Sequence, residues 1–503
     1  MGRSRRCEAV RSNGEKSSRR SLLGIVSMLP TVPLLRQGEV YRSLDVQDIC
    51  PVQGGDPVAR ITMANSGLIK RDLLNLSAGR KALQRFTTQD LLDITLKAGD
   101  IFLNDELPVG DEGILQGPDE YLYSLAATSG LPHSLIRMNM ERLHGVFSQV
   151  PTILMGLSRG MSTDVLDTAY GNQSGVTVSF VPTTTALGVV LPSNSPAVNA
   201  LWIPAIAMKT PVALKPGREE PWTPWRVIQS FIKAGAPAEA FSFYPAHHDG
   251  SSAIIRNCNR VMLFGGDDTV KQYENDPRVE VHGAGRSKIL IGDDEIENWK
   301  DHLDLMVRSI SANSGRSCIN ASCVIVPKYA NEIADALAEA LVPMRVRAQD
   351  DPEATLSGFA NPKMAEWING SIQDGLDEGG ATDVSLEKRG GSDRYVQKDG
   401  MHYMLPTIVR CDSIEHSIGN TEFLFPYASV VEMPQDQMLG SIGKSLAVAA
   451  ITKDEAWLNE LIFADHIERL NVGAMPTNHI EWDQPHEGNL FEFLYRRRSI
   501  QVA

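Results

Sequence analysis

Short apolar segments alternate with helix-like stretches through the middle of this 503-residue chain, and this alternation limits the folds it can adopt. Continuous apolar runs of four or five residues, bounded by turn residues, predict buried strands. They occupy residues 187–191, 211–214, 240–244, 260–264, 288–291 and 323–326. Strands that are apolar on both faces and are joined by helices indicate an α/β fold built on parallel sheets. Such sheets bind ligands at the carboxyl ends of their strands.

Helix-like spacing of apolar residues predicts the connecting helices. They are expected at residues 196–208, 223–234, 250–257, 299–311 and 333–341. Residues 70–165 also have a mainly helical pattern, and residues 1–60 are expected to be a tail and lead-in, partly disordered.

Three other segments have distinct patterns. Alternating β-branched residues at 176–180 predict a hairpin arm ahead of the first buried strand. The glycine-rich, polar stretch 379–391 predicts an exposed loop or hairpin, and residues 403–410 predict a further strand.

Charge and cysteine content exclude several classes of protein. Lys and Arg number 48 against 62 Asp and Glu, a net charge of −14, which argues against a nucleic-acid-binding protein. The six cysteines are scattered without a CxxC pair, so the sequence suggests neither a metal site nor a disulfide framework. A reducing, cytoplasmic setting is the simplest expectation.

The sequence does not decide between several roles for the N-terminal region. Residues 1–20 are basic, and the apolar run 22–35 is broken by Pro30 and Pro33, so no membrane span is expected. Residues 18–23 resemble a twin-arginine export signal, but no A-x-A cleavage site follows. A signal, a disordered tail and a mis-start before Met28 remain the alternatives.

Cys318 is the candidate nucleophile of the chain. It ends the polar, glycine-bearing turn 313–318, directly before the strand predicted at 323–326. A thiol held on such a turn can attack a carbonyl carbon and hold the product as a thioester. A buried structural cysteine is the alternative, because free cysteine is among the most buried residue types.

Seven segments occur in an order that resembles the aldehyde dehydrogenase superfamily over about residues 170–480. They are Thr185–Pro196, Val212–Pro216, Leu263–Gly266, His282–Ser287, the Cys318 turn, Leu405–Val409 and Glu422–Pro426. The resemblance implies a Rossmann-like, parallel-sheet cofactor domain at 61–286, with the β-arm at about 170–185, and an α/β catalytic domain at 287–465. It also implies that residues 466–503 return to the cofactor domain and serve oligomerisation, giving a homodimer or homotetramer.

The resemblance assigns the two central catalytic roles. Cys318 matches the family nucleophile, and Asn194 matches the asparagine whose side-chain amide stabilises the oxyanion of the tetrahedral adduct. Without the resemblance, Asn194 would be read as a turn residue before a helix.

The resemblance also implies a nicotinamide cofactor. Lys215 matches the lysine that holds the adenosine ribose, and Ser193 belongs to the same binding region. Arg218 stands where NAD-preferring relatives carry a glutamate, and its forked donors favour the 2′-phosphate of NADP. The adjacent Glu219 would favour NAD if the alignment moved by one residue.

Two further positions belong to the implied cofactor site. Gly265 follows a strand end where the family brings its backbone close to the pyrophosphate, although Val270 replaces the family's second glycine. Asp267 and Asp268 make this turn acidic, which is unfavourable for a phosphate. Glu422 matches the glutamate that holds the nicotinamide ribose.

His282 is the main departure from the family pattern. It occupies the position of the glutamate that activates water in hydrolytic members, and Glu280 precedes it by two residues on the same strand face. Glu280 would be displaced by roughly 7 Å along the strand. His282 could act as a general base or as a neutral donor.

Loss of the glutamate also resembles the acylating and fatty acyl-CoA reductase branch, in which coenzyme A rather than water takes the acyl group. The prediction is therefore an NAD(P)-dependent oxidoreductase that interconverts aldehyde and acyl-CoA, with NADP slightly favoured. A hydrolytic aldehyde dehydrogenase and a catalytically inactive assembly subunit are the alternatives.

Overall fold

The computed structural model describes residues 29–110 and 113–501. The basic segment 1–20 and the export-like residues 18–23 lie outside the described residues. Within the described ranges, none of the helices is long and apolar enough to cross a membrane. The predicted α/β fold class is confirmed: the described chain forms two large, mainly parallel sheets, each covered by helices on both faces.

The first sheet carries the strands predicted in the N-terminal half. Its seven strands lie in the order Val279–His282, Arg260–Phe264, Leu187–Val190, Val212–Lys215, Phe241–Phe243, Leu34–Arg36 and Glu39–Tyr41. The first five strands are parallel to one another. Leu34–Arg36 pairs antiparallel with Phe241–Phe243, and Glu39–Tyr41 pairs antiparallel with Leu34–Arg36. After Leu187–Val190 the chain adds its next two strands on one side of this strand. It then adds Arg260–Phe264 and Val279–His282 on the other side. The strand order therefore reverses beside Leu187–Val190, which is where ligands bind in open α/β sheets.

Helices cover the first sheet on both faces because its strands are apolar throughout. One face packs against Trp222–Ala234, Thr88–Asn104 and His133–Ser148. The other packs against Ser66–Leu73 and His248–Asn257.

The second sheet carries the strand that follows Cys318. Its order is Ala381–Asp383, Thr407–Cys411, Tyr427–Glu432, Ala321–Val326, Ser287–Ile291, Ser445–Ile451 and Ile467–Val472. All are parallel except the first. Helices Leu303–Ser311 and Ala330–Leu341 cover one face, and helix Pro362–Asp377 covers the other.

The arm is a hairpin outside both large sheets. Strands Tyr170–Gln173 and Val176–Pro182 pair antiparallel, and Tyr495–Arg498 near the C-terminus pairs with the second of them. Arg260 Nε also donates to Phe493 O at 2.8 Å, so this part of the chain packs against the first sheet again.

The remaining elements are short or peripheral. The strands are Thr31–Val32, Val46–Ile49, Ala59–Thr62, Leu107–Pro108, Leu115–Gln116, Tyr395–Lys398 and Met401–Met404. The α-helices are Ser77–Leu83, Pro118–Ser129, Val150–Leu157, Val165–Thr168, Pro204–Ala207, Asp267–Tyr273, Val384–Lys388, Gln435–Ser441, Glu455–Ile462 and Leu490–Leu494. The 3-10 turns are Pro196–Leu201, Ala238–Ala240, Ile296–His302 and Ala312–Gly315.

The structure differs from five of the element predictions. The helix predicted at 299–311 is the 3-10 helix Ile296–His302 followed by α-helix Leu303–Ser311. Residues 29–60 contain strands, and Leu34–Arg36 joins the first sheet rather than serving only as a lead-in. The stretch 379–391 holds strand Ala381–Asp383 and helix Val384–Lys388. The strand predicted at 403–410 is two strands separated at Pro406, whose missing N–H cannot continue a ladder. The helix predicted at 196–208 is a 3-10 turn and a short α-helix.

Candidate active site

The turn before Cys318 has a strained backbone. Asn313 and Ser314 have φ values of 54° and 58°, in a region that non-glycine residues rarely adopt. Gly315 follows at φ 64°, where an added Cβ would lie 2.4 Å from the backbone of Phe425. Strained residues of this kind persist only when surrounding contacts hold them, and they cluster at functional sites.

Side-chain amides hold this turn in place. Asn320 donates to the carbonyl oxygens of Ser309 and Ala312 at 2.9 and 3.0 Å. Its own side-chain oxygen accepts from Ser317 N at 2.9 Å. Asn320 therefore fixes the geometry of the turn. The side chain of Cys318, at the end of the turn, is partly exposed.

The segment Gly285–Ser287 lies directly against the backbone of Cys318. Ser287 Oγ donates to Cys318 O at 2.8 Å. An added Cβ on Gly285 would come within 2.0 Å of the same carbonyl oxygen. A glycine is thus required at 285 for this close approach.

Asn194 reaches the cysteine turn from the carboxyl end of strand Leu187–Val190. Its Nδ2 donates to Arg316 O at 3.2 Å, two residues before Cys318. A second link runs from Asn313 Nδ2 to Ser195 Oγ at 3.3 Å. The predicted nucleophile and oxyanion donor, more than a hundred residues apart in sequence, therefore lie in one site.

Glu422 lies against the segment Gly285–Ser287. Its Oε2 accepts from Arg286 N at 2.8 Å. Burial raises the pKa of Glu422 to about 7. Burial also raises the pKa of the Cys318 thiol, and the charges of Glu422 and Glu487 add to this effect while Arg469 opposes it. In this state Cys318 is a neutral thiol near pH 7.

His282 ends its strand with both ring nitrogens facing carboxylates. Nδ1 lies 2.6 Å from Glu487 Oε2, and Nε2 lies 3.4 Å from Glu280 Oε1. The ring stacks on Phe264 with centroids 4.7 Å apart. Burial alone would lower its pKa, but the two carboxylates outweigh burial and raise the pKa of His282 to about 9. The contacts therefore favour an imidazolium, which can donate a proton but cannot accept one.

Three residues near Cys318 were not predicted from the sequence: His486, Arg469 and Glu487. His486 Nε2 lies 3.9 Å from Cys318 Sγ, and Arg469 Nη1 lies 3.3 Å from His486 Nδ1. Arg469 belongs to the edge strand of the second sheet, and the other two belong to the loop before Leu490–Leu494. A loop histidine has no periodicity that would have singled it out.

A cavity of about 130 Å³ adjoins this group. Its polar wall includes Glu280, His282, Arg469, His486 and Glu487. Its apolar wall comes mainly from helices His133–Ser148 and Val150–Leu157 and from residues 200–204. The cavity is thus polar on the side next to Cys318 and apolar on the other.

Ser193, Lys215 and Arg218, three of the predicted cofactor residues, lie on one side of the strand-order reversal. Lys215 ends strand Val212–Lys215, and burial lowers its pKa although Glu219 opposes this. Ser193 Oγ accepts from Glu219 N at 3.3 Å, whereas the side chain of Arg218 is exposed. An added Cβ on Gly217 would come within 2.4 Å of Pro192 O and of Ser193 Oγ.

The Gly265 turn lies on the other side of the reversal. Gly265 N donates to His282 O at 3.2 Å, and Asp267 pairs with Arg286 at 2.6 Å. This ion pair offsets part of the acidic charge noted in the sequence and ties the turn to the segment beside Cys318. Val270 lies against Gly283, where an added Cβ would be 2.6 Å from its side chain.

Comparisons with known proteins agree with this arrangement. A family model described as "Aldehyde dehydrogenase family" matches residues 114–442. A malonate-semialdehyde dehydrogenase of Geobacillus kaustophilus is 24% identical over 307 residues, and the match covers 59% of this chain and 59% of that protein. A mitochondrial, acylating methylmalonate-semialdehyde/malonate-semialdehyde dehydrogenase of Bos taurus is 24% identical over 230 residues, or 44% of this chain and 42% of that protein. The chain thus spans three-fifths or less of the length of these curated relatives.

Solved structures show the same fold. An indole-3-acetaldehyde dehydrogenase of P. syringae, in complex with NAD+ and IAA, superposes with a TM-score of 0.76 at 17% identity. The match covers 94% of this chain and 97% of that one. A likeness at this identity shows the overall fold.

Proposed function

Because the chain belongs to the aldehyde dehydrogenase family, we propose that it interconverts aldehydes and acyl-CoA with NAD or NADP through a thioester on Cys318. The observation that carries this proposal is the convergence of Cys318 and Asn194, since Nδ2 of Asn194 reaches the carbonyl oxygen of Arg316 in the same turn. Attack by a thiolate creates an alkoxide, and an amide donor beside it lowers the energy of that charge.

The chemistry follows from these positions. The Cys318 thiolate adds to the aldehyde carbon, and the resulting alkoxide accepts a hydrogen bond from the Asn194 amide. A bound nicotinamide cofactor would supply the hydride acceptor that oxidation of this adduct requires. The thioester that remains on Cys318 is attacked by the thiolate of coenzyme A, which expels the Cys318 thiolate. Aldehyde, oxidised cofactor and coenzyme A thus give acyl-CoA, reduced cofactor and one proton.

The residues at the strand-order reversal fit a nicotinamide cofactor. On one side of the reversal, Lys215 ends its strand and Gly217 packs closely against Pro192 and Ser193. Lys215 and Ser193 would hold the adenosine ribose, Gly265 would adjoin the pyrophosphate, and Glu422 would hold the nicotinamide ribose.

Arg218 and Glu219 support opposite cofactor preferences. Arg218 is exposed and can extend to a 2′-phosphate, which favours NADP. Glu219 lies next to Ser193 and would repel that phosphate. We propose that Arg218 gives a modest preference for NADP. Arg218→Ala should reduce kcat/KM for NADP about tenfold while leaving that for NAD within about twofold, which is the loss of one charged hydrogen bond.

The state of His282 supports acyl transfer to coenzyme A rather than to water. A hydrolytic enzyme needs a group that removes a proton from water, and an imidazolium held by Glu280 and Glu487 does not supply one. Coenzyme A brings its own thiol, which ionises more readily than water. The acylating relative from Bos taurus is consistent with this choice.

The test is the dependence of turnover on coenzyme A. With aldehyde and NAD or NADP present, steady reduction of the cofactor should require coenzyme A and should yield acyl-CoA. Equal rates without coenzyme A, with free acid as product, would instead establish the hydrolytic alternative. In that case His282→Ala should leave a burst of cofactor reduction and block the later release of acid.

A wider activity assay tests the alternative that the protein is a catalytically inactive assembly subunit. A panel of short and long aldehydes and acyl-CoAs should be assayed with both cofactors, using Cys318→Ser as the matched inactive control. Activity of the wild-type protein at the level of Cys318→Ser across the whole panel would contradict the proposed enzyme and favour an assembly role.

A further inference from the structure

We propose that His486, oriented by Arg469, is a catalytic residue that donates a hydrogen bond from Nε2 to the sulfur of Cys318. This inference deepens the proposed function, because it concerns the thiolate that would attack the aldehyde. It also assigns a chemical role to the C-terminal loop 473–489, which none of the predicted site residues occupies.

The contact with Arg469 fixes which ring nitrogen of His486 carries the proton. A guanidinium group has donors and no acceptor. Because Arg469 Nη1 lies 3.3 Å from Nδ1, that nitrogen must accept, and the proton of the neutral ring is on Nε2. Nε2 is the nitrogen that lies 3.9 Å from Cys318 Sγ. The N–H therefore faces the sulfur.

The surroundings keep His486 neutral. Burial and the charge of Arg469 lower the pKa of His486 to about 4, and His282 adds to this effect while Glu487 opposes it. A charged ring would also place an Nδ1 proton against the Arg469 donor. His486 is consequently a fixed donor near neutral pH and does not remove the thiol proton. This differs from a cysteine–imidazolium pair, in which the histidine carries the charge.

Arg469 is held so that its charge acts on the cysteine. Its Nη2 donates to His479 O at 3.0 Å, and its Nε is buried without a partner in the described part of the chain. No carboxylate among residues 29–110 and 113–501 forms an ion pair with it. Arg469 therefore favours the thiolate, against Glu422 and Glu487, which favour the thiol.

The expected consequence is a measurable loss of thiolate when the donor is removed. Iodoacetamide reacts with thiolates, so its rate at fixed pH below the thiol pKa reports the fraction of Cys318 that is ionised. Without the Nε2–H donor, we expect the pKa of Cys318 to rise by about one unit, which is about a tenfold slower reaction.

The experiment uses the full-length protein without aldehyde, cofactor or coenzyme A. Alkylation of the Cys318 peptide is followed by mass spectrometry for wild type, His486→Ala, His486→Gln and Arg469→Met. Asp483→Asn is the matched control, because Asp483 lies in the same loop and its side chain is exposed. Circular dichroism and thermal unfolding verify that each variant is folded.

We expect alkylation about tenfold slower in His486→Ala and Arg469→Met. His486→Gln should recover much of the rate, because its amide can still donate. Asp483→Asn should react like wild type. Equal or faster alkylation in folded His486→Ala would overturn the proposal, and so would a loss in His486→Gln as large as that in His486→Ala. If His486→Ala does not fold, the comparison of His486→Gln with Arg469→Met decides in its place: wild-type rates in Arg469→Met would overturn the role of Arg469 and with it the fixed tautomer.

This outcome is separable from that of the proposed function. Alkylation requires no substrate, so the predicted slowing could be observed in a protein that oxidises no aldehyde. Conversely, the wild-type protein could show coenzyme A-dependent turnover while His486→Ala is alkylated at the wild-type rate. That result would support the proposed function and exclude the proposed role of His486.

Discussion

At the scale of single residues, the site can be divided by what the sequence could and could not reveal. Cys318 and Asn194 occur in local segments with a recognisable order, so their proximity was predictable from resemblance. His486 and Arg469 have no such local signal. They come near Cys318 only because an edge strand and a C-terminal loop pack against the turn.

Removing the Asn194 amide should slow the step in which the alkoxide forms. We expect Asn194→Ala to lower kcat about a hundredfold, which is typical for loss of one oxyanion donor. Asn194→Asp would place a carboxylate there and should be worse. Steady-state rates with saturating aldehyde test this. A loss smaller than threefold in a folded Asn194→Ala protein would contradict the role of the amide.

The acidity of Cys318 should depend on Glu422. Because the charge of Glu422 raises the thiol pKa, Glu422→Gln should increase alkylation of Cys318, most clearly above pH 7 where the wild-type carboxyl is ionised. Below that pH the wild-type group is protonated, and the difference should shrink. A rate difference that is independent of pH would show that the charge is not its cause.

At the scale of elements, the buried strands were predictable and the mixed segments were not. Strand Arg260–Phe264 has the bounds expected from its apolar run, because a strand buried on both faces leaves an unambiguous pattern. The stretch 379–391 predicts a loop or hairpin because its glycines obscure a short strand and a five-residue helix. Local composition cannot show that Asp383 caps that helix.

The arm gives a prediction about assembly. Tyr170 and Val176, which lie on its two strands, are 51% and 53% exposed. We expect the arm to pair with a second copy of the chain, giving a homodimer or homotetramer. Val176→Asp with Tyr170→Asp should shift the protein to a smaller species in light scattering after gel filtration. Leu74→Asp is the control, at an exposed apolar residue directly after helix Ser66–Leu73. An unchanged mass in the arm variant would contradict this assembly.

At the scale of the whole molecule, the site exists only where distant parts of the chain meet. The first sheet contributes Asn194 and His282, and the second contributes Cys318 and Arg469. The fold class and the order of the βα units could be predicted because they repeat locally. The packing of the C-terminal loop over the cysteine could not, because it depends on contacts between residues more than a hundred positions apart.

The stability of the whole molecule should depend on a buried carboxyl in the first domain. Burial raises the pKa of Glu220 from 4.5 to about 8, although Thr223 donates to it. Its folded pKa is raised, so stability is full below about pH 4.5 and falls as the pH rises towards 8. Glu220→Gln keeps an acceptor for Thr223 and should unfold at higher urea concentration than wild type at pH 8, with little difference at pH 4.5. A larger stabilisation by Glu220→Gln at pH 4.5 than at pH 8 would contradict the buried, protonated state of Glu220.

The central claim is that Cys318 carries the acyl group, and the mass of the protein tests it most directly. The protein is mixed with an aldehyde that it oxidises and with NAD or NADP, without coenzyme A, and is then analysed by intact and peptide mass spectrometry. We predict one acyl group on the Cys318 peptide, formed together with one equivalent of reduced cofactor, lost on addition of coenzyme A and absent from Cys318→Ser. Reduced cofactor accumulating over many turnovers in Cys318→Ser, or an acyl group on another residue, would contradict the account.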